Sequence, residues 1–508
     1  MPAEIVSTDR TKQDSYREIL RASSIIGGAQ GINYLIGMVR TKLVAVLLGP
    51  TGVGLLGLYI SATGLVGTIA GMGIGSSGVR EISEAHGSGD PQRMAHSLKT
   101  LRRACWITGI LGWILTAAFS YPLSVWTFNS PEYAWAIALL GVTTLFGSIS
   151  SGQSALIQGT RRIGDLARLS VIGVLAGTTV AVVLYWFLGE KGVVPVLITT
   201  AALNLGFTWW FARKIHILKV DQSFAETWQN SKRLLRLGLA FMWSGLLSAA
   251  VSLAIRSIIV RTFGLEANGI YQAAWGISGM FAGFILGAMG TDFYPRLTAI
   301  ADDHPAMVRL VNEQTEIGIL LALPGLVGTL IFAPWVMKIF YSSQFLPGGE
   351  LLPWFVLGIF GRVISWPLGF IVLALGAGKW FVFSETLFSL GQLVLTFWMV
   401  KNVGLWGVGI AFALLYLFCT VFWVFLSRHL IAFQWSKKVV IMLAESTFFV
   451  GVAFLARRFL PEWATLCLGG TLSAASVFYT LKGLTVRFGR NHKITRFMSR
   501  IPGFRLIF

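Results

Sequence analysis

Leu48-Gly49-Pro50-Thr51-Gly52-Val53-Gly54 returns 215 positions later as Phe263-Gly264-Leu265-Glu266-Ala267-Asn268-Gly269. The register holds across the copies, with Gly49 on Gly264, Gly54 on Gly269 and Ser61 near Gly276. Each copy follows an apolar stretch that carries an arginine, Arg40 in the first and Arg256 in the second. Internal duplication with charges inside apolar segments marks transporters, in which two related halves enclose a substrate cavity.

Composition places that repeat in a membrane. Of 508 residues, 55% are hydrophobic and 12% charged, and the mean hydropathy is +0.70; a soluble domain does not have this balance. Charge-poor segments of about 20 residues, the length a bilayer requires, fall near 22–47, 54–78, 104–126, 134–157, 169–188, 192–211, 235–260, 269–290, 317–340, 351–375, 380–399, 404–426, 438–456 and 464–483. The expected fold is therefore all-α and polytopic, with fourteen transmembrane helices. Segments on one side of that arrangement hold 31 of the 41 Lys and Arg, so both termini are expected in the cytoplasm. The net charge of +19 calls for anionic lipid headgroups rather than nucleic acid.

The repeat extends beyond its opening phrase. Gln158-Gly159-Thr160-Arg161-Arg162 answers to Leu375-Gly376-Ala377-Gly378-Lys379, and Leu188 to Val193 resembles Val400 to Leu405, which sets Gly159 on Gly376 and Gly192 on Gly404. Six spans per copy make a parallel repeat about an axis near the membrane normal. The expected organisation is a first lobe over 1–211, a cytoplasmic interlobe loop and hinge over 212–234, a second lobe over 235–426, two extra helices over 427–484, and a basic amphipathic tail over 485–508.

Several functions are disfavoured. The external loops are too short to carry the catalytic groups of a membrane glycosyltransferase, so the chain reads as a carrier and not an enzyme, with no catalytic residues and no cofactor. Cys105, Cys419 and Cys467 lie far apart inside spans and read as packing residues, and the six histidines show no paired metal-ligand spacing. Gly73-Ile74-Gly75-Ser76-Ser77-Gly78 matches a dinucleotide fingerprint in letters only, because no strand precedes it. Together with Gly64, Gly67 and Gly71 these glycines read as a face for close helix packing.

Charges inside apolar spans cost about 2.5–3.5 kcal/mol each on insertion scales, which makes each a functional candidate. The basic set is Arg40, Lys42, Arg256, Arg261 and Arg362. Lys42 and Arg261, near span ends, have snorkelling to the headgroups as an equal alternative; Arg362 is too deep for it. Arg40 and Arg256 fall one residue from equivalence in the repeat, whereas Arg362 has an apolar counterpart near Leu145. Asp292, Glu385 and Glu445 are candidates for ion coupling or charge balance, and Glu316 borders a span. With arginines outnumbering carboxylates, the cavity is expected to prefer an anion that a guanidinium grips bidentately, such as a phosphate.

The run Met38-Val39-Arg40-Thr41-Lys42-Leu43-Val44-Ala45-Val46-Leu47-Leu48-Gly49-Pro50-Thr51-Gly52-Val53-Gly54-Leu55 resembles the opening of Wzx-type O-antigen and polysaccharide flippases, within the multidrug/oligosaccharidyl-lipid/polysaccharide (MOP) exporter superfamily. Tyr294-Pro295-Arg296-Leu297 and the stretch from Gly361-Arg362-Val363 to Glu385 extend the likeness. The resemblance implies a 6+6+2 bundle in the bacterial inner membrane that moves an undecaprenyl-diphosphate-linked oligosaccharide to the periplasmic leaflet by alternating access. It also implies partners among membrane lipids and polysaccharide polymerase or chain-length proteins. Lipid II flippases carry a further arginine where this chain has Tyr34, which weighs against lipid II. A cation-coupled drug antiporter of the MATE kind and a non-transporting assembly scaffold are the other readings.

Overall fold

A computed structural model describes residues 3–218 and 220–488; the side chains of 3–26, of scattered positions between 230 and 292, Asp292 among them, and of 486 and 488 lie outside that description. The described residues are helical almost throughout, with no strand among them. The helices are α1 (Ala3–Gly71), α2 (Ile74–Gly87), α3 (Pro91–Ala118), α4 (Ser120–Phe128), α5 (Ala134–Gly159), α6 (Ile163–Leu188), α7 (Val193–Ala212), α8 (Phe224–Ala299), α9 (His304–Ile331), α10 (Ala333–Phe340), α11 (Gly348–Ala374), α12 (Gly378–Val403), α13 (Gly407–Ile431), α14 (Lys437–Phe459) and α15 (Glu462–Phe488). Among the described residues, nine helices are long and apolar enough to cross a membrane, or ten if the bent pair α3–α4 counts as one.

Four of those nine, Gly27–Gly71, Ile163–Ala212, Met242–Met280 and Gly378–Ile431, run 45, 50, 39 and 54 residues. Each is longer than one crossing needs. Each is also interrupted by a glycine of positive φ: Gly49 (63°), Gly189 (54°), Gly264 (87°) and Gly404 (82°). At Gly49 and Gly264 ψ is −174° and 178°, a region essentially closed to residues with a Cβ. The opening phrase therefore breaks α1 and α8 at equivalent points, and Pro50 then restarts the first with a φ already suited to a helix. Fourteen crossings is the sequence expectation; among the described residues nine to ten helices are long and apolar enough to span, four of them broken at a glycine.

The repeat reappears in the hydrogen bonds, in a register that corrects part of the sequence alignment. Arg161 and Gly376 both take left-handed φ, 54° and 66°. Around them Arg162 N donates to Ile157 O (3.1 Å) and Ala377 N to Val372 O (3.0 Å), while Arg161 N donates to Gln158 O (3.0 Å) and Gly376 N to Leu373 O (3.1 Å). Gly376 thus pairs with Arg161 and not Gly159, and Gly404 with Gly189 and not Gly192, all at the offset of the opening phrase. The sequence alignment followed matching letters, whereas the turn is set by where the left-handed residue falls, and at 161 an arginine occupies it. α6 and α12 are correspondingly both 26 residues long. An aspartate caps both α3 and α9: Asp90 accepts from Gln92 N (2.8 Å) and Asp303 from Ala306 N (2.9 Å).

Contacts divide the chain into two compact units, Met1–Gly269 and Ile270–Phe508. Within the first, the two copies of the glycine phrase meet. A Cβ on Gly54 would overlap the Leu265 carbonyl oxygen, and one on Gly269 would overlap that of Pro50. The contact is reciprocal, since Leu265 and Gly269 are the repeat partners of Pro50 and Gly54. Asn268, fully buried, seals it by donating to Gly54 O at 2.7 Å. Gly73 and Gly238 make a second reciprocal approach. Glycines at both places let the first part of α8 approach α1 and the turn after it within this unit.

The segment that follows α7 is strapped to α3. Lys99 Nζ donates to Val220 O (2.6 Å), Gln222 Nε2 to Thr100 Oγ1 (2.8 Å), and Arg103 to Gln222 O (2.9 Å), Ser223 O (3.1 Å) and Thr227 Oγ1 (2.6 Å). In the second unit α14 and α15 pack on α9. There Glu316, 8% exposed, accepts from Arg487 Nε at 2.7 Å and has Lys438 Nζ at 3.4 Å. Residues 485–488 of the expected tail therefore continue α15, with Arg487 turned inward; 489–508 lie outside the described residues. Cys105 and Cys419 are buried, and Cys467 is exposed instead of packed.

Candidate functional site

The sequence-derived cations fall in both units. Arg40, on α1, is half-buried and lies within electrostatic reach of Tyr185 on α6. Tyr185 is 2% exposed, and its hydroxyl has no hydrogen-bond partner among the described groups. A hydrogen bond from Asn33 Nδ2 to Ser170 Oγ (2.6 Å) ties the same two helices together. Lys42 is half-buried on α1. Arg256, on α8, is 6% exposed, deep burial for a guanidinium in an apolar span. Arg261 is exposed and donates to Val125 O on α4 at 3.1 Å, so this arginine caps a neighbouring helix end and is not buried.

Arg362 belongs to the second unit. Its guanidinium lies 5.7 Å from the centre of the Tyr416 ring, within cation–π range. Glycines make this possible: a Cβ on Gly361 would come within 3.1 Å of Tyr416 Cβ, and Gly358 faces the Phe412 ring, so α11 and α13 approach closely. Glu385, on α12, acts electrostatically on the same tyrosine. Arg362, Glu385 and Tyr416 thus form one cluster on three helices. Glu445 is exposed and accepts a hydrogen bond from Tyr479 of α15 at 2.5 Å. Asp292 lies on α8, its side chain outside the described residues. No group of acidic, histidine or cysteine side chains among the described residues has the makings of a metal site.

None of these charges lines the cavity of about 720 Å³ in the first unit, whose walls come from the second half of α1, from α2, α3 and α5, and from Met242 of α8. Glycine, threonine and serine make up most of its lining, with Gln158 at one end and Ile60, Ile74, Val79 and Met242 among its apolar side chains. Sequence reading for buried charge passed over it. The signal was present in α5, where Thr144, Gly147, Ser148, Ser151, Ser154 and Gln158 recur at helical spacing and place one small, polar stripe on one face.

A duplicated bundle of apolar helices broken at matched glycines, with charged side chains on its spans, is a multi-pass membrane protein. The chain belongs to the polysaccharide biosynthesis protein family, whose profile matches residues 19–301. It is 22% identical over 397 residues to the lipid III flippase of Escherichia coli (strain K12), covering 75% of this chain and 91% of that one. It is 21% identical over 373 residues to the amylovoran biosynthesis protein AmsL of Erwinia amylovora, covering 70% and 92%. Among solved structures it is similar to the lipid II flippase MurJ in an inward closed conformation, with a TM-score of 0.68 at 14% identity over 92% of this chain and 99% of that one. It is also similar to an inward-facing MATE multidrug transporter of the MOP superfamily, with a TM-score of 0.60 at 16% identity over 81% and 95%.

Proposed function

We propose that this protein is a flippase that carries an undecaprenyl-diphosphate-linked oligosaccharide, an O-antigen or related polysaccharide repeat unit, from the cytoplasmic to the periplasmic leaflet of the bacterial inner membrane. The observation that carries the proposal is the burial of Arg256 inside an apolar span, in a chain of a polysaccharide biosynthesis family. A diphosphate bears about two negative charges, and moving them through hydrocarbon unaided costs several kcal/mol or more. Guanidinium groups at Arg40, Arg256 and Arg362, with Lys42 and Arg261 nearer the span ends, supply counter-charge along the route.

On this reading both termini lie in the cytoplasm. Lobes 1–211 and 235–426 alternate access about the loop 212–234, and the lipid tail stays in the bilayer. No bond is made or broken. Glu385, which shares Tyr416 with Arg362, balances that arginine or couples an ion; Asp292 and Glu445 are the other candidates for ion coupling or charge balance. Glu445 ties α14 to α15. The names of the relatives support the substrate class, since one is a lipid III flippase and another an amylovoran biosynthesis protein.

The test is translocation of a lipid-linked oligosaccharide in reconstituted vesicles by the wild type and by Arg40→Ala, Arg256→Ala and Arg362→Ala. Each substitution is expected to slow transport by about tenfold or more, the loss of a charge-assisted contact, and Arg362→Lys should recover part of it. Transport at the wild-type rate in all three would sink the anion-holding role. If Glu385→Gln alone abolished transport, the cation-coupled antiporter reading would take its place.

A further inference from the structure

We infer that the 720 Å³ cavity of the first unit is the seat of the substrate's glycan and selects for uncharged, hydroxyl-rich sugars; the inference rests on the flippase reading above. The cavity has the size of ordinary small-ligand sites, about 300–1,000 Å³. Among the described residues that line it there is no Asp, Glu, Lys, Arg or His. A diphosphate finds no counter-charge there, and neither does a cationic drug. The polar groups the wall does offer are threonine and serine hydroxyls and the Gln158 amide, set among glycines and apolar side chains such as Ile60, Ile74 and Val79.

The protons of four of those threonines are already committed. Thr63 Oγ1 donates to Tyr59 O (2.8 Å), Thr68 to Gly64 O (2.8 Å), Thr143 to Leu140 O (2.6 Å) and Thr144 to Gly141 O (2.7 Å). A hydroxyl whose proton goes to its own helix retains lone pairs that can only accept. A wall of neutral acceptors complements a ligand with many O–H donors, which is what a neutral oligosaccharide is. A uronic acid or other anionic sugar would instead bury its charge there without a counter-charge, at a cost of several kcal/mol.

The glycines of the wall point the same way. Gly78 on α2 packs, since a Cβ there would come within 2.6 Å of Leu101. At Gly64, Gly71 and Gly147 an added Cβ would meet nothing within 4 Å. Helix packing does not require glycine at these three positions. Its effect there is to keep the cavity open, which corrects the expectation that the whole glycine face serves close packing.

The experiment compares two probes in reconstituted vesicles: undecaprenyl diphosphate carrying a neutral oligosaccharide, and the same carrier with a single neutral sugar. Gly147→Leu grows a side chain into the open space, and Thr63→Val with Thr144→Val removes two acceptors at nearly constant shape. Each change is expected to lower the ratio of oligosaccharide to single-sugar transport by about tenfold, the effect of losing one or two hydrogen bonds or the space for them. Arg362→Ala should lower both rates and leave the ratio unchanged. A misfolded variant would likewise lose both together.

A wild-type ratio in both cavity variants overturns the inference while leaving the flippase reading intact. If the wild type moves neither probe, the flippase reading fails, and calorimetric titration of the purified protein with a free malto-oligosaccharide decides the cavity separately. Binding that Gly147→Leu abolishes supports the seat, and absent or unaltered binding overturns it.

Discussion

The crossing of the two glycine phrases makes a stability prediction whose sign depends on which glycine is changed. In Gly269→Ala the new methyl would overlap Pro50 O and lie 2.6 and 3.0 Å from Pro50 C and Cα. In Gly54→Ala it would overlap Leu265 O and lie 2.9 Å from Gly269 N. All of these are main-chain atoms, so no flexible side chain can move aside. Relief requires the two segments to separate, which costs about 1–3 kcal/mol for the overpacking and about 1 kcal/mol more as the buried Asn268 to Gly54 hydrogen bond stretches. The expected loss is roughly 2–4 kcal/mol for either change. The double variant should lose much less than the sum, because separation forced by the first methyl makes room for the second. Gly64→Ala is the control: its Cβ meets nothing within 4 Å, and alanine improves helix propensity by up to about 1 kcal/mol. Thermal unfolding in one detergent at one scan rate, followed with a thiol-reactive dye, should show a clear fall in Tm for Gly269→Ala and none for Gly64→Ala. Equal melting of Gly269→Ala and wild type, or strict additivity in the double variant, would refute the reciprocal crossing.

Other outcomes follow from single contacts. Arg487→Gln leaves Glu316 with Lys438 alone and should destabilise the packing of α15 on α9 by about 1–3 kcal/mol, the figure for a broken buried pair discounted for partial exposure. The Tm of the purified variant measures it, and an unchanged value would remove the ion pair as a tie. Arg103→Ala frees three hydrogen bonds to residues 222–227; limited proteolysis should then cut between 213 and 227 several-fold faster, and an unaltered cutting rate would show that Lys99 and Gln222 suffice. Gly264→Ala places a Cβ at φ 87° and should cost about 1–3 kcal/mol, read as a lowered Tm; no change would argue that α8 does not break there.

Much of the architecture was legible in the sequence because its causes are local. Hydropathy over about 20 residues is a property of the segment itself, and a glycine that must adopt positive φ announces a break wherever it sits. Gly49 and Gly264 could therefore be paired from the sequence. The same reasoning explains the register errors at Gly159 and Gly192: letters were matched, whereas the left-handed residue of one turn is Arg161, whose side chain gives no hint of its backbone. Arg40, Arg256 and Arg362 stood out because charge in hydrocarbon is costly. The hydroxyl-lined cavity did not, because serine and threonine are cheap in a helix that accepts their protons.

The sequence by itself determined an all-helical membrane chain, its repeat, its two principal breaks and the set of charges that must be accounted for. Only the tertiary structure decided what those groups face. Glycines that read alike in the sequence divide into those that pack, as Gly54, Gly78 and Gly269 do, and those that border open space, as Gly64, Gly71 and Gly147 do. Arg362 meets Tyr416, Arg261 caps α4, and Arg487 turns in to Glu316. The physical reason is the range of the interactions: hydropathy and φ act within a few residues, whereas a partner on another helix depends on how the faces of distant segments come together.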